Sequence, residues 1–219
     1  IYSSAESGSS GGGFVNIRNS SFVGNLAQNR GGAIMAEGSG AVEVSNCTFE
    51  GNEAVGLGNY RRAGSGGSIY ASPGVEVTVL NSSFESCLGL YGGAALFICG
   101  GEVIDSTFSD NEATGLFGAV VNGDLSDEDR LDASLHLDAA AAAGGNFTCP
   151  PLYVSGTVFD GNVAVGGYGG GLASVDASLS VINATFFSTV GGALYFGTSD
   201  GSGRDELEVG GWVGGWVGG

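Results

Sequence analysis

The sequence contains no lysine, and its only basic residues are six arginines against 23 acids, which gives a formal charge of −17. Nucleic acids and anionic membranes are recognised by clustered positive charge. We therefore expect neither a nucleic acid nor a membrane surface as a partner, and we interpret the charge as a solvated acidic exterior. The absence of lysine also excludes a phosphate-binding loop of the P-loop type, which requires that residue.

Long apolar runs are missing as well. The apolar stretches are short and broken by glycine, whereas a membrane-spanning helix needs about 20 apolar residues. We therefore expect no membrane insertion by this segment. The sequence starts at Ile1 without a signal-like segment, and we interpret it as a processed chain or a piece of a longer one.

Glycine, in contrast, is abundant, with 44 of the 219 residues and no collagen-like period. A hydrophobic content of 42% argues against disorder. An ordered structure must therefore use the glycines, and a repeat architecture is the natural candidate.

A degenerate repeat is aligned by six phenylalanines, separated by steps of 27, 35, 24, 51 and 27 residues: Phe22, Phe49, Phe84, Phe108, Phe159 and Phe186. Upstream of each phenylalanine, apolar and polar residues alternate, as in Val15-Asn16-Ile17. A period of two with β-branched residues on one side is typical of a strand.

Two polar columns accompany the phenylalanines. Three residues before the phenylalanine stand residues that tolerate a left-handed backbone, which predicts a tight bend: Asn19, Asn46, Asn81, Asp105, Gly156 and Asn183. Three residues after it, asparagines are expected to hydrogen-bond along the stack as a ladder: Asn25, Asn52, Asn111 and Asn162. Cys87 and Thr189 interrupt this predicted ladder.

A third strand follows, opened by paired glycines as in Gly31-Gly32-Ala33-Ile34. Three short strands joined by bends describe one rung of a solenoid, whose neighbouring rungs supply the backbone pairing at about 4.8 Å. We therefore predict an all-β fold, a single-stranded right-handed parallel β-helix of about seven rungs over residues 1–209, with the phenylalanines stacked inside. Residues 210–219 form a Gly/Trp-rich tail that serves as a cap or as a link to a further segment.

Residues 119–150 break the pattern and leave two interpretations. The step of 51 residues is long enough for two repeats, so a degenerate rung fits there, with its strand at residues 133–138 and Gly144-Gly145 as its glycine pair. An inserted helix that begins near Ser126 fits as well, and the alanine run favours it.

The motif Phe-x-x-Asn, as in Phe22-Val23-Gly24-Asn25, together with Gly-Gly-Ala-Ile at residues 31–34, resembles the repeats of the chlamydial polymorphic outer membrane proteins. The resemblance covers roughly residues 14–197 and departs at Cys87, at Thr189 and over residues 112–150. It implies an extracellular passenger or stalk used for adhesion or surface structure, and it carries over no catalytic residue.

Four cysteines lack the spacing of a zinc site: Cys47, Cys87, Cys99 and Cys149. Their even number in a lysine-free, glycine-rich chain favours disulfides and an oxidising compartment. Cys99 and Cys149 are close on adjacent turns only if no degenerate rung separates them. The alternative is free, buried thiols at small inward positions such as Cys47.

Five asparagines satisfy the Asn-x-Ser/Thr pattern for N-glycosylation: Asn19, Asn46, Asn81, Asn146 and Asn183. Four of them occupy the bend column, where the repeat favours asparagine anyway. Asn146 lies outside that column and is the least ambiguous of the five.

An enzyme is the main structural alternative, because polysaccharide lyases and hydrolases share the β-helix fold. Such enzymes need a base beside calcium-binding carboxylates, or two or three clustered carboxylates. Glu43 and Glu102 are isolated in their columns, and the acidic run at residues 124–132 lacks the spacing of a calcium loop. The serine pattern at residues 197–201 follows the only histidine, His136, which is the wrong order for a hydrolase. We expect no enzyme, no cofactor and no metal.

The leading hypothesis is a non-enzymatic extracellular structural module of a surface protein or filament, for example a cell-surface or flagellar hair fibre. It would act by stacking and self-association, since the open end of a solenoid is an edge that pairs readily. The alternatives are an adhesin that binds a host or glycan ligand and a β-helix lyase or hydrolase. We expect an extracellular or cell-surface location, with copies of the chain, other surface proteins or glycans as partners.

Overall fold

The computed structural model describes residues 1–4, 13–56, 64–72, 74–97, 100–115, 117–123, 151–175, 177–197 and 207–210. In this part of the chain every pairing between strands is parallel, and the strands form four sheets whose neighbours come from successive repeats. The chain is therefore a parallel β-helix, which confirms the predicted fold class.

Two sheets contain the strands around the phenylalanines. The valine sheet consists of β2 (Gly13–Arg18), β6 (Gly40–Ser45), β10 (Val75–Leu80), β14 (Gly101–Ile104), β18 (Leu152–Ser155), β22 (Leu179–Ile182) and β25 (Leu207–Gly210). The phenylalanine sheet consists of β3 (Ser21–Val23), β7 (Thr48–Glu50), β11 (Ser83–Glu85), β15 (Thr107–Ser109), β19 (Val158–Asp160) and β23 (Thr185–Phe187).

The other two sheets complete each rung. The short sheet consists of β4 (Leu26–Ala27), β8 (Glu53–Ala54), β12 (Leu88–Gly89), β16 (Glu112–Ala113) and β20 (Val163–Ala164). The glycine-led sheet consists of β1 (Tyr2–Ser4), β5 (Ile34–Glu37), β9 (Ile69–Ala71), β13 (Ala95–Phe97), β17 (Val120–Gly123), β21 (Leu172–Val175) and β24 (Leu194–Gly197). The two-residue strands of the short sheet were not predicted, because two residues are too few to show a period.

The hydrophobic core runs along the axis of the solenoid. In β10, Val75, Val77 and Val79 are buried, whereas Glu76 between them is exposed. This alternation is repeated in register on the neighbouring strands, so that the inward columns of side chains from the sheets fill the interior. Burial of these apolar side chains drives the folding of each rung onto the next.

The bends before the phenylalanine sheet have the predicted left-handed backbone. The φ angles are 49° at Asn19, 52° at Asn46, 45° at Asn81, 48° at Asp105 and 53° at Asn183. Asparagine, aspartate and glycine adopt this conformation at the lowest cost. The residue types of the bend column are therefore explained by the backbone geometry of the corner.

No degenerate rung lies between Phe108 and Phe159, and that interpretation of residues 119–150 is wrong. Strand β14 pairs directly with β18, with Gly101 opposite Leu152, and β15 pairs with β19. Residues 119–123 belong to the ladder, since β17 pairs with β21. Residues 124–150 are thus inserted between two paired rungs, and the predicted helix lies outside the described residues.

The last described strand of the ladder is β25, which pairs with β22 up to Gly210. Residues 211–219, which hold both tryptophans of the tail, lie outside the described part. Among the described residues, no helix has the length and apolar character needed to cross a membrane.

Candidate functional site

The six aligned phenylalanines form one internal column. Successive rings from Phe22 to Phe186 are stacked, with centroids 4.8, 4.5, 4.7, 5.2 and 4.8 Å apart. The five rings after Phe22 are fully buried, and Phe22 on the first rung is half-exposed. Such contacts add to the stabilisation that burial of the rings already provides.

The predicted asparagines form two hydrogen-bonded pairs beside this column. The Asn25 amide Nδ2 and backbone N–H both donate to Asn52 Oδ1, at 2.8 and 3.0 Å. Asn52 Nδ2 donates in return to the Phe22 carbonyl at 2.9 Å. Asn111 and Asn162 repeat the arrangement at 3.0 and 3.1 Å. The side chains thereby satisfy backbone groups where the chain turns between two sheets.

Cys87 replaces asparagine between the two pairs. Its backbone N–H donates to Asn111 Oδ1 at 3.0 Å, and the Ser68 hydroxyl donates to its sulfur at 3.0 Å. Burial raises the pKa of the Cys87 thiol, and this effect outweighs the hydrogen bonds with Ser68 and Asn52, which lower it. The side chain is therefore a neutral, buried member of the ladder.

Cys47 and Cys87 are free, buried thiols, which is the alternative that the sequence left open beside disulfides. They belong to different columns, two residues before and three residues after the aligned phenylalanine. The Cys47 thiol donates instead to the Ser45 carbonyl at 3.3 Å. Cys99 and Cys149 lie outside the described residues.

A buried polar cluster in the glycine-led sheet was missed from the sequence. Asn122 is fully buried, accepts a hydrogen bond from the Gly100 backbone N–H at 3.0 Å and donates to Ser174 Oγ at 3.3 Å. Asn122 and Ser174 are directly opposite on β17 and β21. The available signal was the inward position of Asn122, since a buried amide requires partners.

The acids provide no catalytic or metal-binding cluster within the described residues. Glu43 pairs with Arg18 at 3.0 Å, and Glu102 is exposed. No three His, Cys, Asp or Glu side chains of this part are placed to hold a metal ion. The acidic run at residues 124–132 and His136 lie outside it, as do residues 198–201 of the serine pattern.

A depression of about 250 Å³ lies beside the short sheet and has one carboxylate, Glu53, in its lining. The rest of the lining is Ala54, Val55, Gly56, Leu88, Gly89, Leu90 and Thr114. Glu50 and Glu85 are neighbours in register on β7 and β11, but both are exposed and neither lines the depression. The carboxylate pair of a glycosidase is therefore not brought together in this depression.

Exposed large hydrophobic side chains occur at the two ends of the described ladder. On the first rung they are Phe14, Val23 and Leu26, and on the last rungs they are Val165, Tyr168, Phe187, Val190 and Val209.

Two columns of outward-facing side chains begin and end with some of these exposed residues. The first runs from Val23 through Glu50, Glu85, Ser109 and Asp160 to Phe187. The second runs from Leu26 through Glu53, Leu88, Glu112 and Val163 to Val190.

An aromatic cluster lies beside the glycine-led sheet near the C-terminal end. The ring centroid of Tyr168 is 6.4 Å from that of Phe117 and 5.2 Å from that of Tyr195. Phe117 is nearly buried, whereas Tyr168 is about half-exposed. The cluster therefore leaves Tyr168 half-exposed beside a nearly buried phenylalanine.

The sequence model of the Chlamydia polymorphic membrane protein (Chlamydia_PMP) repeat matches residues 19–37 and 46–72. Each match begins at the left-handed bend and extends through the glycine-led strand of the first or second rung. The resemblance drawn from the Phe-x-x-Asn and Gly-Gly-Ala motifs is thereby confirmed, although the match covers well under half of the chain. No curated protein and no solved structure matches the chain.

The chain thus carries repeats of a type that occurs in membrane proteins of Chlamydia. This type of repeat is compatible with a location at the cell surface.

Proposed function

We propose that the chain is a non-enzymatic structural module of an extracellular or cell-surface protein or fibre, and that it acts by end-to-end association with copies of itself. The observation that carries this proposal is the position of the exposed apolar side chains. Among the described residues, the exposed large apolar side chains lie before or on the first rung and on the last three rungs. None of them lies on the rungs between.

The outward columns support association through the ends rather than through the sides. Between their apolar ends these columns contain acids, such as Glu50, Glu85 and Asp160 in the first. With a formal charge of −17, two chains repel each other when they approach side by side. End-to-end association instead adds strands to open sheet edges and brings Val23 and Leu26 beside apolar side chains at the other end of a second chain.

The interior columns support a structural rather than a catalytic role. The stacked rings and the asparagine pairs bond each rung to its neighbours, which gives a rod whose interior is filled by packing side chains. Release of reducing or unsaturated sugars from acidic polysaccharides by the purified chain would contradict the non-enzymatic part of the proposal.

The test is the association state of the full chain, measured by sedimentation velocity over a range of concentrations and by negative-stain microscopy. We expect end-to-end oligomers whose length increases with concentration. The double variant Val23→Asp, Leu26→Asp places two charges at the first rung and should remain monomeric.

A matched control adds the same two charges to the interior of the same columns. Ser109 and Leu88 are half-exposed members of the first and second column. The double variant Ser109→Asp, Leu88→Asp should associate like the parent chain. A parent chain that stays monomeric at all concentrations, or equal effects of the two double variants, would refute association through the ends.

Adhesion is a second candidate, and the exposed Tyr168 ring beside Phe117 and Tyr195 favours it. Flat aromatic faces bind the apolar faces of sugars, and the acidic charge of the chain favours neutral glycans over acidic ones. A glycan array tests this function. Binding that is lost in Tyr168→Ala but kept in Tyr153→Ala, a half-exposed tyrosine of the valine sheet, would support adhesion.

A further inference from the structure

Four asparagines of the bend column have side chains that make no hydrogen bond within the described part of the fold. Asn19, Asn46, Asn81 and Asn183 are all exposed and lie on one corner of the solenoid, before the phenylalanine sheet. Unlike the inner asparagines, these four side chains have no hydrogen-bond partner among the residues that the structure describes. The bend needs their backbone conformation, and the amide groups remain available for chemistry.

The hydroxyl groups required beside these asparagines are also available. The residue two positions after each one is the first residue of a phenylalanine-sheet strand: Ser21, Thr48, Ser83 and Thr185. Their hydroxyls likewise have no partner in the described part of the chain. The residue between is Ser20, Cys47, Ser82 or Ala184, and none of these is proline. Each corner therefore offers a complete Asn-x-Ser/Thr acceptor at the surface.

We propose that the asparagines of the bend column are N-glycan attachment sites. Asn183 carries a glycan, and among Asn19, Asn46 and Asn81 no two neighbours carry glycans in the same molecule. The donor is a lipid-linked diphosphate oligosaccharide. Nδ2 of the asparagine forms a bond to C1 of the first sugar, and the bond from C1 to the phosphate oxygen breaks. The lipid diphosphate leaves, and the proton lost from Nδ2 passes to a base of the transferase. The inference rests on the extracellular route in the proposed function, because the donor is met there.

The alternation follows from the spacing of the rungs. Neighbouring members of the column are about 4.8 Å apart, which is narrower than a pyranose ring with its substituents. Glycans on adjacent rungs therefore obstruct each other in the folded chain.

The sites consequently differ in their neighbours. Asn46 lies between two other acceptors, Asn19 and Asn81, on consecutive rungs. Asn183 is separated from Asn81 by the rungs of Asp105 and Gly156, which carry no acceptor. We expect Asn183 to be occupied independently, and we expect Asn46 to be occupied only in molecules in which Asn19 and Asn81 are bare.

The test uses the full chain with a secretion leader in a eukaryotic host, in a Thr148→Ala background that removes the acceptor at Asn146. Intact mass and glycopeptide mass spectrometry are measured on the secreted and the cell-retained protein. Secreted molecules should carry a glycan at Asn183 and never at both Asn46 and one of its neighbours. Secreted molecules that are bare at Asn183, or that carry glycans on adjacent rungs, would overturn the inference.

Asp105→Asn provides an internal check, because it completes an acceptor with Thr107 on the rung beside Asn81. In secreted molecules the introduced site and Asn81 should be occupied in mutually exclusive fashion. The control Asp105→Asn, Thr107→Val keeps the amide but removes the acceptor, and it should leave the occupancy of Asn81 unchanged. Secreted, glycosylated chain that stays monomeric in sedimentation velocity would contradict the proposed association while supporting the attachment sites. Simultaneous occupancy of adjacent rungs in secreted chain would contradict the attachment pattern alone.

Discussion

Replacement of Asn111 by alanine is the sharpest test of the asparagine ladder. Asn111 is fully buried, and its Nδ2 donates to the Phe84 carbonyl at 3.1 Å and to Asn162 Oδ1 at 3.0 Å. Its Oδ1 accepts the Cys87 backbone N–H at 3.0 Å. Alanine leaves the Phe84 carbonyl and the Cys87 N–H without these partners in the interior, whereas Asn162 Oδ1 keeps the Asn111 backbone N–H at 3.1 Å.

The buried Cys87 N–H loses its acceptor at a cost of about 1–3 kcal/mol, whereas the Phe84 carbonyl stays within the paired strands β11 and β15 and loses only a side-chain bond. The free energy of unfolding should therefore fall by about 2–4 kcal/mol. Urea unfolding followed by far-UV circular dichroism measures this change from the midpoint and slope. The control is Asn25→Ala on the half-exposed first rung, where the lost side-chain bond leaves Asn52 Oδ1 still bonded to the Asn25 backbone N–H. That variant should lose less than about 1 kcal/mol. Equal losses for the two variants would refute the ladder as a source of stability.

Four further predictions follow from the same geometry. Phe84→Ala should lower the free energy of unfolding by about 3–5 kcal/mol in urea titrations, since the ring is fully buried between two stacked neighbours. The pKa of the Cys87 thiol is raised in the folded chain. The free energy of unfolding should therefore not depend on this group below the ordinary thiol pKa of about 8.5, and it should fall as the pH rises above that value. The variant Cys87→Ser should remove that part of the pH dependence. Gly101→Ala should unfold at a lower temperature, because φ is 146° and the added Cβ would meet the Val77 carbonyl. Replacement of residues 124–151 by a copy of residues 176–178, which connect β21 to β22, should retain cooperative unfolding. It should raise the free energy of unfolding by about 2 kcal/mol, because the connection is shortened by more than three halvings. Loss of the cooperative transition would show that the ladder needs the insertion.

The sequence was sufficient to predict the parts of the fold that repeat with a short period. The β-branched alternation around Val77 and the aligned phenylalanines predicted two sheets and their inward faces, and the bend column predicted the left-handed φ angles. These features are local, so each repeat displays them independently. The short sheet escaped prediction because a pair such as Leu26–Ala27 forms a strand only through its neighbours on the next rung.

The place of residues 124–150 could not be derived from the sequence for a different reason. Residues 133–138 have the alternation of a strand, and Gly144-Gly145 has the appearance of a glycine pair. Whether such a segment joins the ladder depends on which strand pairs with β14, and the registers of Gly101 with Leu152 and of Phe108 with Phe159 exclude it. Pairing across 51 residues is a tertiary property that a local pattern does not determine.

The unequal repeat lengths are explained by where the extra residues enter. The step of 35 residues includes residues 57–63, which lie between β8 and β9, and the step of 51 residues includes residues 124–150, between β17 and β18. Both insertions enter at corners between sheets, and the pairing on either side continues in register. The corner before the phenylalanine sheet takes no insertion, because its left-handed residue must place the next phenylalanine on the ring column within three residues. Variation in length is therefore confined to corners that leave the ring column and the asparagine pairs intact, and the corner of fixed length is the one that presents the regularly spaced acceptor asparagines.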